Sequence, residues 1–427
     1  MFLNGQNTFT GAINTNNFQL TIGGSGSLAG GNYAATISSS AFTYSSSANQ
    51  TLSGNITSPT ITKNTSTSST LTLSGTNTVS GLTTVSAGTL QYAKTTALPS
   101  SAASRLNVQS GATLALNVGG TGEFTTANLT TIFTNLAASS SGTNGMNLGS
   151  NFGFDTTNAS GGTFTIADVI ANSTGTSGGA RGLTKLGSNT LSLSNTNSYG
   201  GATNVNAGTL AVTGSGSINS TNAINVATTG TLRYNSSTAL TVAPTLNGNG
   251  VSNRAVLGGS GSINASVTLD NLGDVLSPGN SPGTQNFDVA QNWSSFSYDW
   301  EVNNFTGTTA GTHFDQIGMS NTLTLSGGSG SYILNVLGLT SINDAGLTPN
   351  FSEINRSWII LTTTNGITSF NDANWAINTA GFSSPDAGTW GLTQSGNNLV
   401  LNYTAIPEPG AALLGGLGML ALLRRRR

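Results

Sequence analysis

Charged side chains make up only 6% of this 427-residue chain, whose formal net charge is -2; an ordinary soluble domain carries about 25%. There is no cysteine and a single histidine, which excludes disulfides, thiolate metal sites and thiol nucleophiles. Lys63, Lys94, Arg105, Arg181, Lys185, Arg233, Arg254 and Arg356 are scattered, so no basic stripe is offered to nucleic acid.

Gly, Ser, Thr and Asn replace the charges, while Thr, Val and Ile recur at a spacing of two. Folded β-structure fits this pattern better than disorder, which goes with high net charge and few β-branched residues. The amino terminus, MFLNGQNTFTGAINTNN, lacks the charged and apolar regions of a secretory leader. It reads as the inside of a repeat, with a leader and earlier coils expected upstream. Short alternating runs follow, at residues 18–22 (FQLTI), 33–37 (YAATI), 71–73 (LTL) and 114–118 (LALNV).

Residues 182–212, GLTKLGSNTLSLSNTNSYGGATNVNAGTLAV, form the clearest unit. The segment LTLSGTNTVSGLTTVSAGTLQY at 71–92 aligns with 191–212 without gaps, at twelve identical positions of twenty-two. Self-similarity over one or two turns of chain is the mark of a solenoid. Each coil would pair its strands with those above and below, so that Leu, Val and Ile stack into a continuous interior and Gly supplies the corners. Charges would stack on like charges at strand spacing, which accounts for their scarcity. The expected fold is all-β: a right-handed parallel β-helix over residues 1–270, a β-rich cap over 271–404, and a short hydrophobic helix within 405–427.

The cap region carries all five tryptophans and most of the acids. Asp299 and Glu301 lie two apart on a predicted strand and so share a face, flanking Trp300 and near Trp293. Carboxylates beside aromatic rings could contact a glycan, flank a glycosidic bond or hold calcium, although such a pair is more often an exposed strand edge, and buried tryptophans are commoner than sugar platforms. His313 with Asp315 is the sole acid/base pair that includes histidine. No G-x-S-x-G elbow accompanies it, and the histidine reads as structural. No catalytic residue, metal site or cofactor is assigned.

The chain ends with Pro407, Glu408 and Pro409, then an apolar run that includes Ala411, Leu413, Leu414, Leu417, Leu420, Leu422 and Leu423, then Arg424, Arg425, Arg426 and Arg427. The run is short for a membrane span, but tilt and snorkelling arginines can accommodate it, and the basic end would stay in the cytoplasm.

Two resemblances follow from these residues. The 182–212 unit, with LSPGNSPGT at 276–284, FDQI at 314–317 and LTLSG at 323–327, resembles the autotransporter-associated β-strand repeat of bacterial surface proteins and the region that closes such passengers. The tail resembles the PEP-CTERM sorting signal of Gram-negative bacteria. The second resemblance implies an exosortase-type sorting enzyme as partner, transient anchoring in the inner membrane and release to the cell surface or matrix. The expected function is a non-enzymatic structural or adhesive protein associated with exopolysaccharide or with itself. The alternatives are a β-helix polysaccharide lyase or glycoside hydrolase, against which stands the absence of any acid before Glu123, and an adhesin passenger fragment of an autotransporter.

Overall fold

The structure, a computed structural model, describes residues 1–65, 67–98, 105–140, 144–406 and 418–419. Its strands are stacked, and almost every pairing is parallel. Each residue of an ordinary coil meets its equivalent 19–25 positions further on, as Leu71 meets Leu90 and Leu90 meets Leu114, or Leu210 meets Leu232 and Leu232 meets Leu257. These leucines are fully buried. In these strands alternation does what it is expected to do: one face builds a continuous column of leucines, whereas strands near the middle of the chain, such as Thr113–Asn117 and Gly182–Leu186, are buried at consecutive positions.

Corners rely on glycine where the chain reverses tightly. In the A-G-T-L turns, Gly88 and Gly208 have φ of 68° and 62°. A Cβ on Gly208 would lie 2.5 Å from the carbonyl oxygen of Gly187, so this corner is closed to any larger residue.

Three long sheets carry the stack. Among the described residues, sheet I has seven strands, from Phe2–Leu3 to Gly145–Met146; sheet II has ten, from Asn32–Tyr33 to Pro244–Leu246; sheet III has eleven, beginning at Thr163–Ile166. In the first part of the chain a coil runs through sheet I and then sheet II, as Thr83–Val85 and Thr89–Tyr92 do. After residue 182 it runs through sheet II and then sheet III, as Thr203–Val205 and Gly208–Gly214 do. The two units that match in sequence thus lie on different faces. The handover happens where Asn151–Asp155 pairs with Thr113–Asn117 on one side and Gly182–Leu186 on the other, while Gly145–Met146 ends sheet I.

The handover contains an insertion with helix α1, Thr126–Asn135. Thr125 caps it with a reciprocal capping box to Asn128, and Leu129, Ile132 and Phe133 pack inward, the last edge-on to Phe152 at 5.2 Å. The cap satisfies two of the amides that a helix N-terminus leaves free.

The boundary expected at residue 270 falls within the strand Leu269–Pro278, and parallel stacking continues through it from Ala255–Gly259 to Gln291–Val302. Among the described strands the pattern changes at the last sheet: Asn398–Thr404 runs antiparallel between Arg356–Thr363 and Thr389–Ser395. This hairpin gives the final coils a different partner from another coil. Pro407, Glu408, Pro409 and the rest of the tail lie outside the described residues, apart from Gly418 and Met419. Among the described residues no helix is long and apolar enough to cross a membrane.

Candidate functional site

The strand Gln291–Val302 was expected to hold the ligand-facing groups, and it places them on two sides. Its buried positions are odd at first (Gln291, Trp293) and even later (Phe296, Tyr298, Trp300, Val302). A register shift against the preceding strand, where Leu269 pairs with Trp293 and Asp270 with Ser295, changes the parity. Trp293 and Trp300 consequently both point inward with no exposed surface. Trp293 packs edge-on to Phe287 and Phe296, and Trp300 lies 5.4 Å from Trp358. Neither ring can stack on a sugar, which corrects the glycan-contact expectation for these two residues: their aromatic area is spent on the core. Trp358 continues this cluster through Trp390 to Tyr403.

Asp299 and Glu301 do share the outward face. Asp299 forms an ion pair with Arg254 and accepts a hydrogen bond from Asn335 Nδ2 at 2.7 Å; Asn335 in turn accepts from Asn378 Nδ2 at 2.9 Å. This Asp-Asn-Asn ladder runs across three paired strands. Beside it lies a groove of about 440 Å³ lined by Val251, Arg254, Ser297, Ile333, Asn335 and neighbouring residues. Burial raises the Glu301 carboxyl above its ordinary value, and the Asp299 carboxylate adds to the rise, while a hydrogen bond from Ser281 and the charge of Arg233 work against it. Among the described residues no three acidic or imidazole side chains converge as a metal site would require.

Asp315 is fully buried and serves the loop that contains SPGNSPG. Its two carboxyl oxygens accept the amides of Gly283 at 2.7 Å and Glu301 at 3.0 Å, and its carbonyl accepts Trp300 Nε1–H at 2.8 Å. Burial, with Glu301 nearby, holds its carboxyl well above the ordinary value. His313 turns elsewhere: its Nδ1 accepts the Thr309 amide at 3.2 Å. The two residues therefore form no catalytic dyad, and each is used to shape a turn.

The repeat holds a device that its sequence did not reveal. Lys185 occupies an inward register position between Phe154 and Val205, and it is fully buried. Its Nζ donates to the carbonyls of Leu186 and Gly187, both at 2.7 Å, and of Ala207 at 3.0 Å, thereby tying one coil to the next. Lys63 does the same in the first half, donating to Thr65 at 2.9 Å and Ala87 at 3.2 Å. Ala87 and Ala207 are the same position of the A-G-T-L corner. Burial pulls both ammonium groups down to about 8, opposed at Lys185 by the charge of Asp155. The usable signal is a lysine near a strand end, 22–24 residues before an alanine-glycine corner.

Residues 68–91 and 183–212 match the passenger-associated-transport-repeat family, so the chain carries autotransporter-associated repeats in two places, and the strands of both segments belong to the parallel stack, on either side of the sheet handover. No curated protein matches the chain.

Proposed function

We propose that the chain is the exported, surface-displayed β-solenoid of a passenger-type protein, with a structural or adhesive role and no enzymatic one. The observation that carries this reading is the pair of passenger-type repeats at 68–91 and 183–212, built into a stack whose stabilising groups are spent on the scaffold. Lys63 and Lys185 serve backbone carbonyls, Asp299 is engaged by Arg254 and Asn335, and the tryptophan cluster fills the cap. The lyase or hydrolase alternative would need carboxylates free to act on a glycosidic bond, and it would be favoured by glycan cleavage that disappears in Asp299→Asn or Glu301→Gln.

The address within this reading comes from the tail. Pro407, Glu408 and Pro409, the apolar residues from Ala411 to Leu423 and Arg424, Arg425, Arg426 and Arg427 suggest sorting at the inner membrane by an exosortase-type enzyme, followed by residence at the cell surface or in an exopolysaccharide matrix. Expressing the gene in its host with and without that enzyme, and following the solenoid by fractionation, tests both parts. Export that depends on the enzyme supports sorting; export that does not leaves the passenger reading and removes the sorting one; cytoplasmic retention in both strains removes both.

A further inference from the structure

The insertion at the sheet handover contains a groove of about 330 Å³ between helix α1 and residues 168–172, lined by Thr130, Phe133, Thr134, Asp168, Val169 and Arg181, among others. Its volume lies in the range of small-molecule sites. Arg181 is 2% exposed. Its guanidinium lies over the Phe152 ring, 4.9 Å from the centroid, and donates to the carbonyls of Leu136 at the end of α1 and of Ala171. These carbonyls take up Nε and one donor of Nη1, while Nη2 has no acceptor among the described residues. The ion pair of Arg254 with Asp299 is the only one among the described residues, so the Arg181 charge has no carboxylate partner among them. A buried cation without a counter-ion is costly, and the negative end of the helix offsets only part of that cost.

The rest of the lining narrows the occupant. Asp168, whose Oδ2 accepts from Thr130, places a negative charge in the same groove, which disfavours a compact anion that concentrates two charges on one centre, such as phosphate, over a single carboxylate. Its free carboxylate oxygen and the Thr134 hydroxyl suit hydroxyl groups, and Phe133 and Val169 offer apolar surface to ring C–H groups. We propose that this groove binds an acidic sugar residue of the uronate class, with the sugar carboxylate paired to Arg181 and its hydroxyls held by Asp168 and Thr134. The site is independent of how the chain reaches its location, so it stands or falls apart from the export reading.

The test is calorimetric titration of the purified full chain with trigalacturonate, its neutral counterpart trigalactose, and inorganic phosphate. Two variants accompany it. Arg181→Gln removes the pairing group, and Thr134→Trp, on the exposed side of α1, fills the groove without touching the Arg181 contacts. A thermal melt checks that each variant is folded. The expected result is saturable binding of trigalacturonate, weakened about tenfold or more by either variant, with trigalactose and phosphate much weaker. Absence of trigalacturonate binding, equal binding of trigalactose or phosphate, or full binding in folded Thr134→Trp would each overturn the proposal. If Arg181→Gln does not fold, Thr134→Trp alone decides.

Discussion

Replacing Lys185 with methionine isolates the inter-coil staple, because methionine keeps most of the apolar stem and removes three charge-assisted hydrogen bonds of 2.7, 2.7 and 3.0 Å. Leu186 retains a partner, since its carbonyl also accepts the Thr156 amide at 3.1 Å. The carbonyls of Gly187 and Ala207 lose the ammonium, at about 1–3 kcal/mol each when they stay dry. Both residues are only half-buried, so water recovers some of this loss, and relief from burying an ammonium offsets more. The net cost is therefore about 2 kcal/mol. Because a solenoid's stability is a sum of local and nearest-neighbour terms, the effect belongs to the coils on either side. Native-state hydrogen exchange at the amides of strand Gly208–Gly214 reads it, with Lys63→Met, which loses two longer bonds, as the milder companion. A Lys185→Met loss below about 0.5 kcal/mol, the level of an ordinary surface change, or a larger loss in Lys63→Met, would refute the staple.

Three further outcomes follow from the same structure. Trp300→Ala empties a fully buried site against Trp358 and Phe314 and should cost about 3–5 kcal/mol in urea unfolding; a near-neutral result would restore Trp300 as a candidate surface platform. Asp315→Ala strips acceptors from the amides of Gly283 and Glu301 and should cost about 2–3 kcal/mol, clearly more than Asp299→Asn on the outer face; the reverse order would contradict the role given to Asp315. Between pH 8 and the ordinary lysine value of about 10.4 the unfolded chain binds more protons than the folded one at Lys63 and Lys185, so stability should rise from pH 7.5 to 9.5. Above that window the buried tyrosines Tyr92 and Tyr199, held well above their ordinary value by burial, act in the opposite sense. Thermal melting across the window checks the sign, and a flat or falling midpoint would mean that both lysines stay charged in the fold.

The strand content and the stacked repeat were legible in the sequence because alternation and the alignment of 71–92 with 191–212 can be read from the residues alone. The inward columns of Leu71, Leu90 and Leu210 follow from them directly. The handover between sheets was not legible: residues 71–92 and 191–212 look alike, and only pairing across the helix-bearing insertion moves one copy to another face. The fate of Trp293 and Trp300 was hidden for a similar reason. Strict alternation puts residues seven apart on opposite faces, and the register shift near Ser294 and Ser295 brings both inside. Asp299 and Glu301, both past that shift, kept the relation that their spacing implied. Lys185 appeared as one of the scattered basic residues because its worth lies in carbonyls on two different coils, and the Arg181 groove needs α1 and residues 168–172 to meet.

Display of the proposed solenoid outside the cell can be read directly on cells, because the 427-residue chain has no cysteine of its own. Thr245, exposed on an outer strand face, can be changed to cysteine in the gene expressed in its host, and intact cells treated with a membrane-impermeant maleimide. Labelling of the protein on intact cells, equal to that after lysis, is the predicted result; labelling that appears only after lysis would contradict the account.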